Sequence, residues 1–342
     1  MRVLVDISHP SQVHFFKNLI LRFRKNKDKV IVTARGKDVT IDLLKNLNLK
    51  YICLSSQTGG IFSMAWELIQ RYVLMWRIVR RFRPDILIAE TGVTIGLVGT
   101  LLRIPRIVEE DTEHAKLQRM LGLPFVTIIM TGLGYLGNHG NRERKFKGVW
   151  VQSYLNPEYF TPDVSVLTDA GIEIDKPYIV MRMVSWSAAH DKGLHGYSEN
   201  QYLDIIEKLS KYGRVIISSE GALPLSMTKY RNPVAPEKVH HLLAFAKLYI
   251  GEGATMAAEA AVLGTPAIFT NPLPLGYLQA MEKDYQLVYN CDNFDLGFEI
   301  AEKLLNTDNL KHLWQQRRKK LLDESEDINE FMFHIANEVV KN

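Results

Sequence analysis

Tyr249-Ile-Gly-Glu-Gly-Ala-Thr-Met-Ala-Ala-Glu-Ala-Ala-Val-Leu-Gly-Thr-Pro-Ala-Ile-Phe269 is the most informative stretch of this 342-residue chain. Its spacing predicts a short strand over residues 248–250, a small-residue loop over 251–255 and a helix over 256–263. After the Gly264/Pro266 break it predicts a second buried strand. Glycine lets backbone approach a ligand closely. A loop that opens a helix offers free N–H groups and the positive end of the dipole to an anion. Glu259 falls one turn inside that helix, where a carboxylate can accept two hydrogen bonds from a vicinal diol such as a ribose. A diphosphate loop followed by a sugar-binding acid reads as a nucleotide half-site. The pattern also occurs without a ligand, because Gly-x-Gly before a helix is common in α/β proteins and an acid near the helix start suits the dipole. A capping box does not explain Glu259, since the residue three after Thr255 is Ala258.

Outward from this stretch, strand and helix patterns alternate along the whole chain. Residues 2–7 read as a buried parallel strand, 8–14 as a loop, then a helix with Phe15, Phe16, Leu19, Ile20 and Phe23 on one face. A strand at 30–34 and a helix at 41–47 continue the βαβ alternation of a doubly wound sheet. Ligands in such sheets lie beyond the C-terminal strand ends, where His9 and His14 fall. His14 is expected in the first turn of its helix, whose dipole keeps the imidazole neutral and usable as a general base. A local loop bond is the alternative for either histidine. Residues 61–83 read as a strongly amphipathic helix, with Phe62, Trp66, Ile69, Tyr72 or Val73, Trp76 and Val79 at helical spacing and Arg71, Arg77, Arg80, Arg81 and Arg83 on other faces. A core-packed helix with a solvated basic face is the plain expectation, and a helix lying on a membrane surface is the alternative.

Further on, residues 84–89 read as a strand and 90–96 as a second loop, opening a helix at 97–102. Residues 105–110 form a strand ending in acids. Asp111, Glu113 and His114 follow, in a spacing that matches no metal-ligand motif, so no metal is expected. Residues 126–131 and 149–152 read as strands, the basic run 141–147 as a solvated loop, and the proline-bearing 156–177 as a linker. A second series begins with a strand at 178–186 and a polar loop at 187–197 that carries His190, Asp191, Lys192 and His195. A helix (199–211), a strand (214–218) and a helix (237–246) lead back to the opening stretch.

Length suggests two domains, and 46% hydrophobic with 23% charged residues is ordinary for a well-cored globular protein. The net charge of +4 is too weak to imply nucleic acid. Cys53 and Cys291 supply neither a disulfide framework nor a metal spacing, which points to a reducing cytosol. No signal peptide is visible, and no apolar run reaches the roughly 18 residues of a spanning helix. The nearest, residues 121–137, is broken by Pro124, Gly132 and Gly134.

The quoted stretch resembles the donor-nucleotide motif of GT-B glycosyltransferases, above all the family that adds N-acetylglucosamine to the lipid-linked peptidoglycan precursor. Asp6-Ile-Ser-His-Pro-Ser-Gln-Val-His-Phe-Phe-Lys17, Arg182-Met-Val-Ser-Trp-Ser-Ala-Ala-His-Asp191 and Val215-Ile-Ile-Ser-Ser-Glu220 resemble domain-of-unknown-function family 354 of the same superfamily. The resemblance implies an α/β fold of two Rossmann-like doubly wound domains facing across a cleft. Residues 1–160 would form the acceptor domain and 175–310 the donor domain, with helices at 311–342 packing back on the first domain. It implies that Glu259 holds the donor ribose, that Gly253, Ala254, Thr255 and Met256 line the diphosphate, and that Ala235 and Pro236 meet the uracil ring. Ser218 and Ser219 join this nucleotide-binding set. His14 would be the base acting on the acceptor, with Glu110 as a second catalytic group. Gly92 and Gly96 match the acceptor-side glycine loop, while His9, Trp186, His190 and Lys192 are secondary contacts, Lys192 as a cation beside the leaving diphosphate.

The chain departs from that transferase family where Ser-His-Pro-Ser-Gln replaces a glycine-rich loop and where Leu275-Gly276 replaces a glutamine pair. More distantly it resembles the non-hydrolysing nucleotide-sugar 2-epimerases. It lacks their Gly-Thr-Arg-Pro-Glu start and their Val-Glu-Ala-Gly-Leu-Arg stretch, and Ile107-Val-Glu-Glu-Asp-Thr112 is a faint likeness to the latter. The function implied is metal-independent, inverting transfer from a UDP-linked sugar to a glycan, lipid-linked or polysaccharide acceptor. No cofactor is implied beyond that nucleotide sugar as donor. Nucleotide-sugar epimerisation, and nucleotide-sugar binding without catalysis, are the alternatives. A cytoplasmic protein is expected, with peripheral contact to the inner membrane face.

Overall fold

The computed structural model describes residues 1–57, 59–111, 113, 115–184, 197–219 and 221–341. They form two compact units, Met1–Tyr154 with Glu326–Asn342, and Leu155–Ser325.

The first unit runs β1 (Arg2–Ile7), α1 (Pro10–Lys25), β2 (Lys29–Gly36), α2 (Thr40–Asn46), β3 (Ile52–Ser56), α3 (Ile61–Phe82), β4 (Ile86–Glu90), α4 (Val93–Leu101), β5 (Arg106–Glu109), α5 (Lys116–Gly122), β6 (Ile128–Thr131) and β7 (Glu143–Lys145), and ends inside α6 (Gln152–Leu155). All seven strands are parallel, in the order β3-β2-β1-β4-β5-β6-β7. Central strands of a parallel sheet are covered on both faces, so they read as continuous apolar runs. Val3, Leu4, Val5 and Ile7 of β1 are accordingly fully buried, as is the Phe15, Phe16, Leu19, Ile20, Phe23 stripe of α1. The strand order reverses between β1 and β4, which marks the C-terminal edge there as the place for a ligand.

The second unit continues with α7 (Ser165–Asp169), β8 (Tyr178–Met183), α8 (Glu199–Ser210), β9 (Arg214–Ser219), α9 (Val239–Phe245), β10 (Leu248–Gly251), α10 (Ala254–Leu263), β11 (Ala267–Thr270), α11 (Gly276–Tyr285), β12 (Val288–Cys291), α12 (Phe294–Leu305) and α13 (Leu310–Glu324). Its five parallel strands are ordered β12-β11-β10-β8-β9 and reverse between β8 and β10. The chain after residue 310 divides. In α13 the buried Trp314 donates its indole N–H to Leu287 O (3.1 Å), and Arg318 Nε donates to Val262 O (2.7 Å), so this helix belongs to the second unit. The last helix, α14 (Ile328–Lys341), packs on α1, where Phe333 lies 5.2 Å from Phe23 and under the Arg22 guanidinium.

Several local expectations change. The helix expected after His14 begins at Pro10, because proline fits the first helical position and the His9 side chain accepts from Ser11 N as its N-cap. The helix expected at 97 begins at Val93, after Gly92 turns the chain at φ 72°. Residues 149–152 are not a strand. The seventh strand lies in the basic run, where Glu143–Lys145 pairs along β6 as a charged edge that resists further pairing. The stretch 156–177 contains α7, whose Val166 and Leu167 are buried.

Candidate functional site

In the second unit, Arg182, Ser218, Glu252 and Tyr249 gather at the β8/β10 reversal. Strand register sets Arg182 of β8 beside Gly251 of β10 on one flank and Ser218 of β9 on the other. Arg182 Nη1 donates to Ser218 Oγ (2.9 Å). A Cβ at Gly251 would stand 2.6 Å from Arg182 O, and one at Gly253 would stand 2.8 Å from Arg182 Cγ. The two glycines therefore make room for an arginine stem laid across the loop. Glu252 between them is buried and turned inward, accepting from Tyr202 OH (2.9 Å) and Val184 N (3.2 Å). Tyr249 OH donates to Gly253 O (2.8 Å) and pins the end of the loop.

The helix begins two residues earlier than its spacing predicts. Gly253 is the N-cap of α10 with φ −89° and ψ 107°, and no side chain caps it. Ala254, Thr255 and Met256 thus form its first turn, where N–H groups lack intrahelical partners and the dipole favours an anion. Glu259 does not lie open as its sequence position suggests. It is only 5% exposed, and Oε1 pairs with Nε2 of the equally buried His240 at 3.0 Å. His240 in turn sits edge-on to Phe160. Ala235 and Pro236 are exposed at the start of the short segment that leads into α9 and His240. Ser218 and Ser219 close β9, half-buried. Trp186, His190 and Lys192 lie outside the described residues, as do His114, Asp191 and His195.

In the first unit, acids gather where the strands end. Glu90 closes β4, and its backbone pairs in register with Glu109 of β5. Glu110 follows, fully buried, with Arg119 Nε 3.3 Å from Oε1 in an ion pair lacking hydrogen-bond alignment. Among the described residues, neither Glu110 oxygen has a hydrogen-bond donor, and neither does Glu109 Oε1. Burial is the main force on all three carboxyls. It pushes Glu90 up to about 8, helped by Asp111 and opposed by a Gln12 hydrogen bond and Lys37. It pushes Glu110 up to about 9, helped by Asp111 and opposed by Arg119. Glu109 also stands well above the ordinary range through burial, Asp111 and Glu90. Near neutral pH Glu90 and Glu110 keep their protons in most molecules, so a carboxyl of this group that has given up its proton is the form able to accept one, with a protonated neighbour able to return one. Arg119 also donates to Tyr135 OH (3.1 Å), which contacts His139 Nε2 (2.8 Å). At the end of β1, Asp6 is buried against Thr33 Oγ1 (2.7 Å) and Arg71 (3.7 Å).

His14 and Glu110 therefore have unlike surroundings. His14 is in the second turn of α1, half-buried, its ring 5.5 Å from Tyr154, and the first-turn dipole argument for it falls with the new helix start. His9 is occupied as the cap, its Nδ1 2.8 Å from Ser11 Oγ. Gly92 and Gly96 serve packing. A Cβ at Gly92 would stand 2.8 Å from Val108 Cγ1, and one at Gly96 would stand 3.1 Å from Gly122 O. Sequence reasoning missed Arg182, His240, Glu90 and Glu109. Arg182 left a signal, an arginine in the otherwise apolar strand Tyr178–Met183.

Comparison with known proteins agrees with this architecture. The uncharacterized protein MJ0665 of Methanocaldococcus jannaschii is 26% identical over 286 residues, 80% of this chain and 82% of that protein. Among solved structures, the UDP-GlcNAc 2-epimerase of Neisseria meningitidis bound to UDP-GlcNAc superposes with a TM-score of 0.74 over 100% of both chains at 15% identity. The Streptomyces sp. SF2575 glycosyltransferase SsfS6, complexed with thymidine diphosphate, superposes with a TM-score of 0.61 at 12% identity, over 98% of this chain and 99% of that one. At such identities the likeness establishes the fold, an α/β arrangement of GT-B type. A family model matches residues 1–341, and the chain belongs to that family, described as protein of unknown function DUF354.

Proposed function

We propose that this chain epimerises a nucleoside diphosphate sugar at the carbon next to the anomeric centre. The observation that carries the reading is the trio of carboxyls at the ends of adjacent strands, Glu109 and Glu110 buried and Glu90 half-buried beside them, each holding its proton more tightly than an exposed glutamate does. Inverting a C–H centre requires one group to take a proton from one face and another to return one to the opposite face. Removal of the C2 proton leaves its electron pair as the C1=C2 bond, while the C1–O bond breaks and the nucleoside diphosphate departs with the electron pair of that C1–O bond. Re-addition of the diphosphate oxygen at C1, with protonation of C2 from the other side, restores a nucleotide sugar of inverted C2. The carboxyls of the first unit are assigned the proton work. The second unit is assigned the nucleotide. There Arg182 and the first turn of α10 meet the charge that grows on the departing diphosphate, and Glu259, oriented by His240, is the candidate ribose acceptor. The fold is shared with the UDP-GlcNAc 2-epimerase of Neisseria meningitidis, so UDP-GlcNAc is the first substrate to try.

Incubation with UDP-GlcNAc in deuterium oxide, with no acceptor, tests the reading. Deuterium is expected at C2 of the recovered nucleotide sugar, together with a second epimer. Release of UDP with C2 unlabelled would overturn it.

Glycosyl transfer is the second reading, favoured by the half-buried imidazole of His14 beside Tyr154. His14→Ala separates the two. If His14 deprotonates an acceptor, the variant keeps nucleotide affinity and loses turnover by roughly a hundredfold or more, the usual contribution of a general base. If epimerisation is the reaction, C2 exchange persists within a fewfold of the wild type. Single-turnover assays with isothermal titration report both quantities.

A further inference from the structure

Over its first half, α3 is built inside out. At 3.6 residues per turn, Phe62, Trp66, Ile69 and Val73 fall on one narrow stripe that Arg77 and Arg80 continue. The opposite stripe, Glu67, Arg71, Met75 and Val79, is the buried one. Ion pairs occupy it. Glu67 accepts from Arg35 Nε (2.6 Å) and Ser55 Oγ (2.7 Å), and Arg71 lies 3.7 Å from Asp6. The apolar side is left outward, with Phe62 93%, Trp66 61%, Ile69 50% and Val73 46% exposed. A row of four large exposed apolar side chains marks an interaction surface.

Charge identifies what covers it. Arg77, Arg80, Arg81 and Arg83 are exposed on the last turns and cap of the same helix, and none of them makes an ion pair among the described residues. Arg80 stacks over Trp76 at 5.9 Å. The one carboxylate of α3, Glu67, is buried, so the outer face is apolar and cationic without any acid. That composition suits a helix lying in an anionic lipid interface, with aromatic and aliphatic groups inserted and guanidiniums at the headgroups. A second copy would offer the same arginines and no exposed acid of α3 to receive them. No helix among the described residues is long and apolar enough to cross a membrane.

We propose that α3 docks this chain on a membrane surface carrying anionic headgroups, through Phe62, Trp66, Ile69 and Val73 with Arg77 and Arg80. The proposal is independent of the chemistry assigned to the carboxyls and the nucleotide loop. Flotation with vesicles of phosphatidylcholine, alone or with phosphatidylglycerol, tests it. The full chain is expected to float with the anionic vesicles only and to be released by salt. Arg77→Gln with Arg80→Gln is expected to lower the partition coefficient about thirtyfold, at about 1 kcal/mol per cation and about 1.4 kcal/mol per tenfold. Phe62→Ser with Trp66→Ser is expected to abolish flotation while leaving the melting transition in place, because both side chains are exposed. Absence of flotation, or equal flotation with neutral vesicles, would overturn the proposal. So would a concentration-dependent dimer that Trp66→Ser breaks, which would give the face to a second copy.

Discussion

Glu110→Gln is expected to abolish C2 proton exchange and at the same time to raise the melting temperature at alkaline pH. Loss of a positioned general acid or base costs roughly 100- to 10,000-fold in rate, and glutamine keeps the shape while losing the proton. The stability effect follows from linkage. Burial pushes Glu110 up to about 9 in the folded chain, against about 4.3 for an exposed glutamate. The folded state therefore holds this proton more tightly than the unfolded chain does. The wild type is most stable below the unfolded value, loses stability as pH rises toward 9, and levels off above it. Glu90 and Glu109 act with the same sign. A glutamine at position 110 has no such dependence, so the gap between variant and wild type should be small near pH 5 and widest by pH 9. Removing the acid also leaves Arg119 without its partner 3.3 Å away, which limits the gain. A rise of roughly 3–8 °C is expected at pH 9, at about 2–4 °C per kcal/mol for a domain of this size. Thermal melts from pH 5 to 9, paired with exchange assays, read both. A variant that is active, and less stable at every pH, would make Glu110 a structural partner of Arg119 and nothing more.

The same residues show what a single sequence can reveal. The β1 strand was read residue for residue, because a run such as Val3-Leu-Val5 between a charged start and a histidine-proline turn admits few other structures. The nucleotide loop was legible for a similar reason, since glycines and a break at Gly264/Pro266 are local signals. Its helix start was misjudged by two residues because Ala254 and Thr255 suit a loop and a first turn equally well. Glu90 and Glu109 were invisible as a pair. Their proximity comes from the lateral register of β4 and β5, a contact between residues 19 positions apart that no periodicity encodes. The burial of Glu259 depends on His240, likewise 19 residues away on another helix. In α3 the helical period holds, but Phe62, Trp66 and Ile69 face outward while Val79, grouped with them by spacing, is buried on the opposite side. Apolar spacing says which residues share a side, but the inward side was claimed by Arg35, Asp6 and Ser55, which reach Glu67 and Arg71 from three different strands.

Arg182→Met is expected to weaken UDP binding by roughly ten- to a hundredfold. A charge-assisted contact is worth about 1.5–3 kcal/mol, and each 1.4 kcal/mol is about tenfold in Kd. Methionine is the informative replacement, because the arginine stem packs across Gly253, where an added Cβ would come within 2.8 Å of Cγ. Truncation to alanine would empty that space and disturb the loop as well as the charge. Methionine keeps an aliphatic stem against the glycine and removes only the guanidinium, together with its bond to Ser218 Oγ. Arg182→Lys should fall between the two, since an ammonium restores charge without the planar fork that grips two phosphate oxygens. The salt dependence discriminates further. If Arg182 meets the diphosphate directly, raising ionic strength should weaken wild-type binding more steeply than that of the methionine variant. Gly253→Ala approaches the same contact from the loop side and should also weaken UDP, while leaving Arg182 charged. Titration calorimetry at two salt concentrations measures every one of these. An unchanged Kd in Arg182→Met would remove the arginine from the nucleotide site, leaving α10 alone to hold the phosphates. A large loss in both Arg182→Met and Arg182→Lys, with equal salt slopes, would mean that Arg182 shapes the loop through Ser218 and does not touch the ligand.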